Sequence, residues 1–286
     1  MVDNKTVVIM LVFLARKNLS LYELTVQTKF SIKVIIEQIN YLNSFLAKNH
    51  LPAIAHSAGR YQLLGDEKEH DKIVSLLEAE QFYLTQEERV CLIYLYSFCR
   101  REFVSNVHYQ DFLKVSKNTT LSDIKMLRSK LAKRGISLTY TRAKGYSLVG
   151  DEMDKHQVAF QMITQLLESP IGFWSLNYIL SSWKFALSYE KLEKTVEYFY
   201  ESFQLSPIQD RLEKSLYFII LILCRYQRSV DRVLQGSPIV SEQLKELTTI
   251  IVTNLSQDIS LSKPLDQKEK DYITLILSGC FEGEGT

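Results

Sequence analysis

Side chains suited to binding phosphate are concentrated in one stretch of the chain, Lys117–Leu148. Its 32 residues hold eight lysines and arginines against a single acid, Asp123, a net charge of +7, whereas the 286-residue chain as a whole carries +1. Lysine and arginine neutralise phosphates, and serine, threonine and asparagine hydrogen-bond to phosphate oxygens. The stretch therefore indicates a polyanion-binding surface that the average composition conceals.

An internal repeat gives this stretch a structural context. The letters RYQLLGDEKEH at Arg60–His70 return as GYSLVGDEMDKH at Gly145–His156, and INYLNSFLAKNHL at Ile39–Leu51 returns as IKMLRSKLAKRGI at Ile124–Ile136, both with an offset of 85 residues. Self-similarity at a fixed spacing indicates a duplicated structural unit. We call residues 1–66 the first copy and residues 84–153 the second copy.

The two copies differ in charge. The matching window of the first copy, Ile32–Leu63, holds the three cations Lys33, Lys48 and Arg60 against Glu37, a net charge of +2. Each phosphate that a protein neutralises on duplex DNA adds about −0.9 to the slope of log K against log salt. If both copies bind a polyanion, we expect the second copy to contribute more of the salt-dependent affinity.

Each copy is predicted to contain three helices followed by a β-hairpin. A serine that can cap the third helix, Ser31 or Ser116, follows a short apolar-periodic segment, Leu21–Thr28 or Val107–Lys114, which itself follows a longer one. Two alternating runs around small residues and glycine come after the third helix, which is typical of a hairpin. The third helix of the second copy is expected to bury Leu121, Ile124, Leu127 and Leu131 on one face.

Three helices and a hairpin form a winged helix, so we predict a mainly α fold with small β wings. Two tandem winged helix-turn-helix domains, residues 1–66 and 84–153, are joined by a linker helix, residues 67–83, and followed by an all-helical bundle, residues 154–286. The bundle is predicted from helical periodicity without strand alternation. Its six predicted helices are Val158–Leu167, Leu176–Ala186, Lys191–Phe203, Leu212–Leu234, Ser241–Leu255 and Glu269–Cys280.

A winged helix that binds duplex DNA places its third helix in the major groove and its wing against the backbone. Asparagine and lysine at the front of that helix can reach base edges, and the helix N-terminus itself favours an anion. The alternative is a solvated helix face with no nucleic-acid role. The candidate DNA-binding residues are Ser116, Lys117, Asn118, Thr119, Ser122, Lys125, Arg128, Arg142 and Lys144, with Lys33 and Arg60 in the first copy.

Other chemistry is poorly represented in the sequence. Four cysteines without a CxxC pair and five histidines at no ligand spacing indicate reduced thiols, no metal site and no cofactor. No nucleophile–base pair, Walker-type loop, GxGxxG or HExxH pattern is present, so we expect no catalytic residues and no enzyme activity. Val7–Ala15 lacks a cleavage pattern and Leu216–Leu223 is too short to cross a bilayer, which predicts a cytoplasmic protein with no membrane partner.

An aromatic-rich segment, Phe173–Tyr200, is expected to fill the core of the bundle and a dimer seam. A ligand pocket is the alternative interpretation, since aromatic side chains also line such sites.

The second copy resembles a known family of regulators. The letters TTLSDIKMLRSKLAKRGISLTYTRAKGYSLVGDE at Thr119–Glu152 are similar to the second helix-turn-helix, of the Mga or BglG type, in transcriptional regulators that carry phosphotransferase-system regulation domains (PRDs). Mannitol-operon, LicR-like and Mga-like activators belong to this group, and the first copy resembles their N-terminal helix-turn-helix. The resemblance is carried by Asp123, Leu127, Leu131, Gly135, Gly145, Tyr146 and Gly150.

The resemblance implies a sequence-specific DNA-binding transcriptional regulator, an activator linked to carbohydrate uptake through the phosphotransferase system. Duplex DNA, a second copy of the chain in a homodimer and phosphotransferase-system proteins are the partners that it implies. Two alternatives stay open. One is an RNA-binding antiterminator, although related antiterminators begin with a β-rich domain and residues 1–65 begin with helices. The other is a protein-interaction module whose winged helices touch no nucleic acid.

The helical bundle resembles the regulation domain of the same family. The letters CRYQRSVDRVLQGSPI at Cys224–Ile239 and EKDYITLILSG at Glu269–Gly279 match its two motifs. The family usually has a histidine that accepts phosphate in each motif, whereas this chain has Arg225 and Ile276 there and no histidine after His156. The resemblance thus implies a PRD-like bundle without phosphorylation sites, acting in dimerisation or as a relay. Any control by phosphate would act on segments outside these 286 residues.

Overall fold

Helix dominates the fold, and two small antiparallel sheets accompany it, which confirms the predicted mainly α class. A computed structural model describes residues 4–16, 18–28, 30–79, 84–99, 103–169, 176, 189–228, 245–246, 248–251, 253 and 264–281. The chain divides into two compact units, Met1–Thr85 with Leu166–Ser175 and Gln86–Gln165 with Leu176–Thr286. None of the helices within the described ranges has both the length and the hydropathy that crossing a bilayer requires.

The first unit contains the predicted three helices and hairpin and one additional strand. Its elements are α1 (Asn4–Ala15), β1 (Asn18–Ser20), α2 (Leu21–Thr28), α3 (Ile32–Lys48), β2 (Ile54–Ser57), β3 (Arg60–Leu63) and α4 (Glu67–Ala79). The additional strand, β1, has too few residues to show an alternation of apolar and polar side chains in the sequence. It pairs with β3, so the order of strands in the sheet is β1-β3-β2. Ser31 caps α3 as predicted, since its hydroxyl accepts a hydrogen bond from the Val34 amide. The β2–β3 loop is Ala58–Gly59, and both residues have positive φ, as a two-residue type I′ turn requires.

The core of the first unit lies between α1, α2, α3 and the sheet. The middle of α1, from Ile9 to Phe13, is buried on all sides. The buried face of α3 follows a helical repeat of four, three and four residues: Ile35, Ile39, Leu42 and Leu46. These apolar contacts orient α3 and leave its opposite face exposed.

The second unit repeats the arrangement and continues into further helices. Its elements are α5 (Gln86–Cys99), α6 (Asn106–Leu113), α7 (Lys117–Ala132), β4 (Ser137–Thr141), β5 (Gly145–Val149), α8 (Glu152–Leu167), α9 (Tyr189–Ser202), α10 (Gln209–Arg228) and α11 (Gln267–Ser278). Ten consecutive residues of α5, Val90–Cys99, are buried, because α5 packs against α7, β5 and α10. α5 is thus the central helix of this unit.

The 85-residue offset holds for backbone contacts as well as for letters. Leu19 of β1 pairs with Tyr61, and the residue 85 positions later, Val104, forms a single bridge to Gly145 and accepts a hydrogen bond from the Tyr146 amide at 2.7 Å. Gly145 has φ +70°, and a Cβ there would lie 2.3 Å from the Val104 carbonyl oxygen, so only glycine fits. The second copy thus has one bridge at the place of β1, and this bridge is parallel whereas β1 pairs antiparallel with β3.

The prediction of the buried face of α7 is wrong at one residue. Ile124, Leu127 and Leu131 are buried, but Leu121 is 43% exposed and Thr120 is fully buried instead. Thr120 lies one turn before Ile124 and corresponds to Ile35 of α3. Its hydroxyl donates to the Ser116 carbonyl at 3.1 Å, so a polar side chain is buried with its hydrogen bond made. A search for apolar residues cannot find such a position.

The C-terminal helices agree with prediction where the structure describes them. α8 begins at Glu152, six residues before the predicted start, because the Asp151 carboxylate accepts hydrogen bonds from the Met153 and Asp154 amides and caps the helix. α9, α10 and α11 lie on the predicted segments that begin at Lys191, Leu212 and Glu269. All of the predicted helix Leu176–Ala186 except Leu176 lies outside the described residues, as do most of Ser241–Leu255, residues 229–234 and most of Phe173–Tyr200.

Candidate nucleic-acid interface

The N-terminus of α7 is formed by a serine cap. The Ser116 hydroxyl accepts a hydrogen bond from the Thr119 amide at 3.2 Å, and its oxygen lies 2.9 Å from the Thr119 hydroxyl. The third predicted DNA-binding hydroxyl, that of Ser122, accepts a hydrogen bond from Gln86 Nε2 at 3.4 Å, so all three already have partners in the free protein. Lys117 and Asn118, in the first turn, are exposed beside the unpaired amides with which every α-helix begins.

The outward face of α7 carries a polar stripe. Asn118, Ser122 and Lys125, all predicted from the sequence, are exposed, and Ser129 extends the same stripe by one more turn. Their spacing of four, three and four residues places them on one helix face, opposite the buried residues. Sequence reasoning missed Ser129, although the spacing from Lys125 was available to find it. The stripe presents amide, hydroxyl and ammonium groups, which are types of group that can hydrogen-bond to base edges.

The eight cations of the basic stretch Lys117–Leu148 fall into two groups. Lys130 pairs with Glu87, Arg134 donates to the Gln161 side chain at 3.2 Å, and Arg128 donates to a backbone carbonyl. The remaining five are exposed and have no carboxylate at ion-pair distance among the described residues: Lys117, Lys125, Lys133, Arg142 and Lys144. Four of these five were predicted from the sequence: Lys117 and Lys125 lie on α7, and Arg142 and Lys144 lie in the β4–β5 loop.

Arg128 joins α7 to the hairpin. Its Nε donates to the Leu138 carbonyl at 2.9 Å, and its guanidinium lies 5.9 Å from the centroid of the Tyr146 ring. The residue 85 positions earlier, Asn43, makes the equivalent bond in the first copy, since its amide donates to the Ile54 carbonyl at 3.0 Å. The position therefore fastens the third helix to the hairpin in both copies, a role that the sequence prediction for Arg128 did not include.

Asp123, the one acid of the basic stretch, faces inward. It is fully buried, and its carboxylate accepts hydrogen bonds from Arg89 Nε at 2.6 Å, Arg89 Nη2 at 3.1 Å and Gln86 Nε2 at 3.2 Å. Both partners lie on α5. The only acidic side chain of the basic stretch is therefore buried. All charged residues on the exposed face of α7 are cations.

In the first copy, the predicted cations are less available. Arg60 forms an ion pair with Glu23 at 2.9 Å and donates to the Asn18 carbonyl at 3.0 Å. Hydrogen bonds from the Ser20 amide and hydroxyl, with the Arg60 guanidinium, lower the pKa of Glu23. Lys33 is exposed on α3, with Glu37 one turn later on the same helix. The structure therefore separates the predicted set into a cationic surface on the second copy and, on the first, the paired Arg60 and the exposed Lys33.

Arg225, which the sequence resemblance places at a histidine position of regulation domains, connects three helices of the second unit. Its Nε and Nη2 donate to the Glu152 carboxylate at 2.6 and 3.0 Å, and its Nη1 donates to the Phe98 carbonyl at 2.5 Å. Burial acts to raise the pKa of Glu152, but contact with His156 and Arg225 and the charge of Lys155 outweigh it, and the pKa lies well below its usual value. Arg225 thus links α10 to α8 and to α5, the helix that holds Asp123. Ile276, the second such position, is half-buried on α11.

Comparison with protein families assigns the central part of the chain. Residues 72–163 match the family model described as the Mga helix-turn-helix domain. The match contains all of the second copy, including α7, the β4–β5 loop and the five unpaired cations. A search among curated proteins found no relative that matches the chain. The match agrees with the Mga-type helix-turn-helix resemblance of the second copy and supports a DNA-binding regulator.

Proposed function

We propose that the protein is a transcriptional regulator that binds duplex DNA through the second copy, folded as a winged helix. The observation that carries the proposal is the exposed cationic surface of α7 and the β4–β5 loop, inside a segment that matches the Mga helix-turn-helix domain. In the proposed complex α7 lies in the major groove, where Asn118, Ser122 and Lys125 read base edges. Arg142 and Lys144 contact the phosphate backbone from the hairpin loop.

The two copies contribute unequally in this proposal. Lys117, Lys125, Arg142 and Lys144 are unpaired among the described residues, so each can release counterions when it contacts a phosphate. Arg60 would first have to leave Glu23. We therefore assign most of the salt-dependent affinity to the second copy and a smaller part to Lys33 and Arg60.

The finer features of the proposal rest on the sequence resemblance. Residues 1–66 and 84–153 form tandem winged helices joined by a linker helix at 67–83, and residues 154–286 form a PRD-like bundle without a phosphorylated histidine. The regulator is a cytoplasmic homodimeric activator that responds to carbohydrate through phosphotransferase-system proteins. Two-fold symmetry predicts that its operator contains paired half-sites.

Binding measurements at several salt concentrations test the proposal. Duplexes selected from a random library are measured beside a structured RNA by fluorescence anisotropy. We expect duplex DNA to bind preferentially, and Arg142→Ala with Lys144→Ala to flatten the slope of log K against log salt by about 1.8, since two phosphate contacts are lost. Lys130→Ala is the matched control, because Lys130 is already paired with Glu87.

The two rival functions predict different results. Preference for the structured RNA indicates an antiterminator. Absence of binding to either nucleic acid at low salt indicates a protein-interaction module. If the double variant and Lys130→Ala have the same salt slope as the unsubstituted chain, the cationic surface does not contact DNA and the proposal is wrong.

A further inference from the structure

A cleft of about 770 Å³ opens between α8, α10 and α11 in the second unit. Its volume falls in the range of sites that hold small organic ligands, which are mostly apolar with a few polar anchors. Phe218, Tyr272 and Ile276 supply apolar and aromatic surface to its wall. The cleft is separate from the cationic surface, because α7 and the β4–β5 loop contribute no residue to its lining.

The charges in the cleft favour an anionic ligand. Lys214 and Arg211 both line it, but Lys214 is bonded to the Asp210 carboxylate at 2.7 Å. Arg211 is exposed and pairs with no carboxylate in the described part of the chain, so one positive charge in the cleft is left unmatched. A guanidinium offers parallel N–H groups that fit a carboxylate or a phosphate.

A buried histidine lies at the floor of the cleft. His156 lines it, is fully buried, and makes no hydrogen bond through either ring nitrogen to a described residue. Its Nε2 is 3.5 Å from the Glu152 carboxylate, too long for a well-formed hydrogen bond. Buried polar groups without partners are rare, because burial removes water that would otherwise satisfy them. A ligand with a polar group at this end of the cleft would supply the missing partner.

The same histidine stands beside a chain of contacts that reaches α7. Glu152, next to His156, holds Arg225 at 2.6 Å, and Arg225 donates to the Phe98 carbonyl of α5 at 2.5 Å. Arg89, also on α5, holds Asp123 of α7 at 2.6 Å. Movement of His156 toward a ligand would change the contact of Glu152 and, through it, the position of α5. A ligand that favours one such arrangement shifts the equilibrium between them by its difference in affinity.

We propose that this cleft is an effector site for a small organic anion, a compact molecule with one carboxylate or phosphate on an apolar or sugar body. We further propose that occupancy changes the affinity of the second copy for DNA, a part that rests on the proposed function. The anion contacts Arg211, its body lies against Phe218 and Tyr272, and a polar group of the ligand reaches His156.

Calorimetric titration of the full chain tests the site without reference to DNA. The probes are phenyl phosphate, benzoate and glucose 6-phosphate. The reference compounds are benzyl alcohol, which lacks the negative charge, and inorganic phosphate, which lacks the organic group. We expect at least one of the three organic anions to bind at least tenfold more tightly than both reference compounds. Comparison of the three distinguishes a phosphate from a carboxylate ligand and an aromatic from a sugar body.

Substitutions locate the binding. Arg211→Gln is expected to weaken it at least tenfold, whereas Lys268→Gln, which removes an exposed lysine of α11 outside the cleft, leaves it unchanged. Ile276→Trp fills the cleft and is expected to abolish binding while the thermal midpoint is kept. Absence of binding by all three anions, or equal binding by the Arg211→Gln variant, overturns the site.

Anisotropy with duplex DNA then tests the coupling. A saturating concentration of the anion that binds should change the DNA affinity by about fivefold or more, and Arg211→Gln should remove the change. Equal DNA affinity with and without that anion overturns the coupling and leaves the site standing. If the chain binds no DNA, the proposed function fails, but the calorimetric result still decides whether the cleft binds an anion.

Discussion

The ion pair between Asp123 of α7 and Arg89 of α5 fixes the helix that we propose to contact DNA, and its removal has a calculable cost. The Asp123 carboxylate is fully buried, and the Arg89 side chain is 14% exposed. Removing one member of a buried pair costs about 3–5 kcal/mol, because the other charge stays buried without its partner. We therefore expect Asp123→Ala to lower the free energy of unfolding of the second unit by about 3–5 kcal/mol.

Urea denaturation followed by far-UV circular dichroism measures this loss, with a thermal scan beside it. A cooperative unit of 150–250 residues loses roughly 2–4 °C of melting temperature for each kcal/mol, so the midpoint should fall by about 6–20 °C. The double variant Asp123→Leu with Arg89→Met should recover most of the loss, because it leaves no charge unpaired and keeps apolar volume. The recovery distinguishes an electrostatic cost from poor packing.

Lys130→Ala is the matched control, since it breaks another ion pair between the same two helices. Lys130 and Glu87 are 35% and 47% exposed, and pairs exposed to water contribute about 0–1 kcal/mol. The reasoning is refuted if Asp123→Ala costs no more than Lys130→Ala, or if the double variant is as unstable as Asp123→Ala alone. Either result would mean that Asp123 does not hold α7 to α5 through its charge.

Three further predictions concern buried and strained positions of the second unit. Burial lowers the pKa of His156 from its usual 6.5, so at lower pH the unfolded chain takes up a proton that the folded chain does not, and stability falls. The His156→Leu variant should therefore lose less melting temperature between about pH 7.5 and pH 5.5 than the unsubstituted chain, and equal losses would contradict this assignment. Burial raises the pKa of the Cys91 thiol to about 12 and also raises the pKa of the Cys280 thiol. A disulfide reagent should therefore label these two cysteines only after denaturation. Rapid labelling of the native protein would show that they are accessible. Gly145→Ala should destabilise the second unit more than Gly135→Ala does. Both glycines have positive φ, but an added Cβ would clash with the Val104 carbonyl only at Gly145. Similar urea midpoints for the two variants would mean that the Val104 bridge does not constrain the hairpin.

Local signals were sufficient for the helices and hairpins of the two copies, although they did not reveal β1. A serine cap, a three- and four-residue apolar repeat and an alternating run around glycine each act within a few residues, so they predicted α3, α7 and both hairpins. The repeat strengthened these predictions, because two sections of chain that share a pattern share a fold. The same local reasoning misplaced the buried face of α7 by one residue, since it favoured Leu121 over Thr120, whose hydroxyl is satisfied by the preceding turn.

The residue types of the candidate site could be predicted from the sequence, but which of its cations are exposed and unpaired could not. The net charge of Lys117–Leu148 was obtained by counting eight cations and one acid, as if all nine side chains were equally exposed. Tertiary structure decided that Asp123 faces Arg89, 34 residues away, and that Lys130 faces Glu87, 43 residues away. A side chain's partner across such separations depends on how helices pack, which the order of residues does not reveal.

The sequence by itself thus determined that the chain is mainly helical, that it contains a duplicated helical unit with a hairpin, and that one copy is basic. Only the tertiary structure decided which cations are unpaired, that Arg128 fastens a hairpin, and that Arg225 bonds to Phe98, 127 residues away. The physical reason is the range of the interactions. Helix caps, turns and periodic burial are set by neighbouring residues, whereas ion pairs and clefts form between elements that folding brings together.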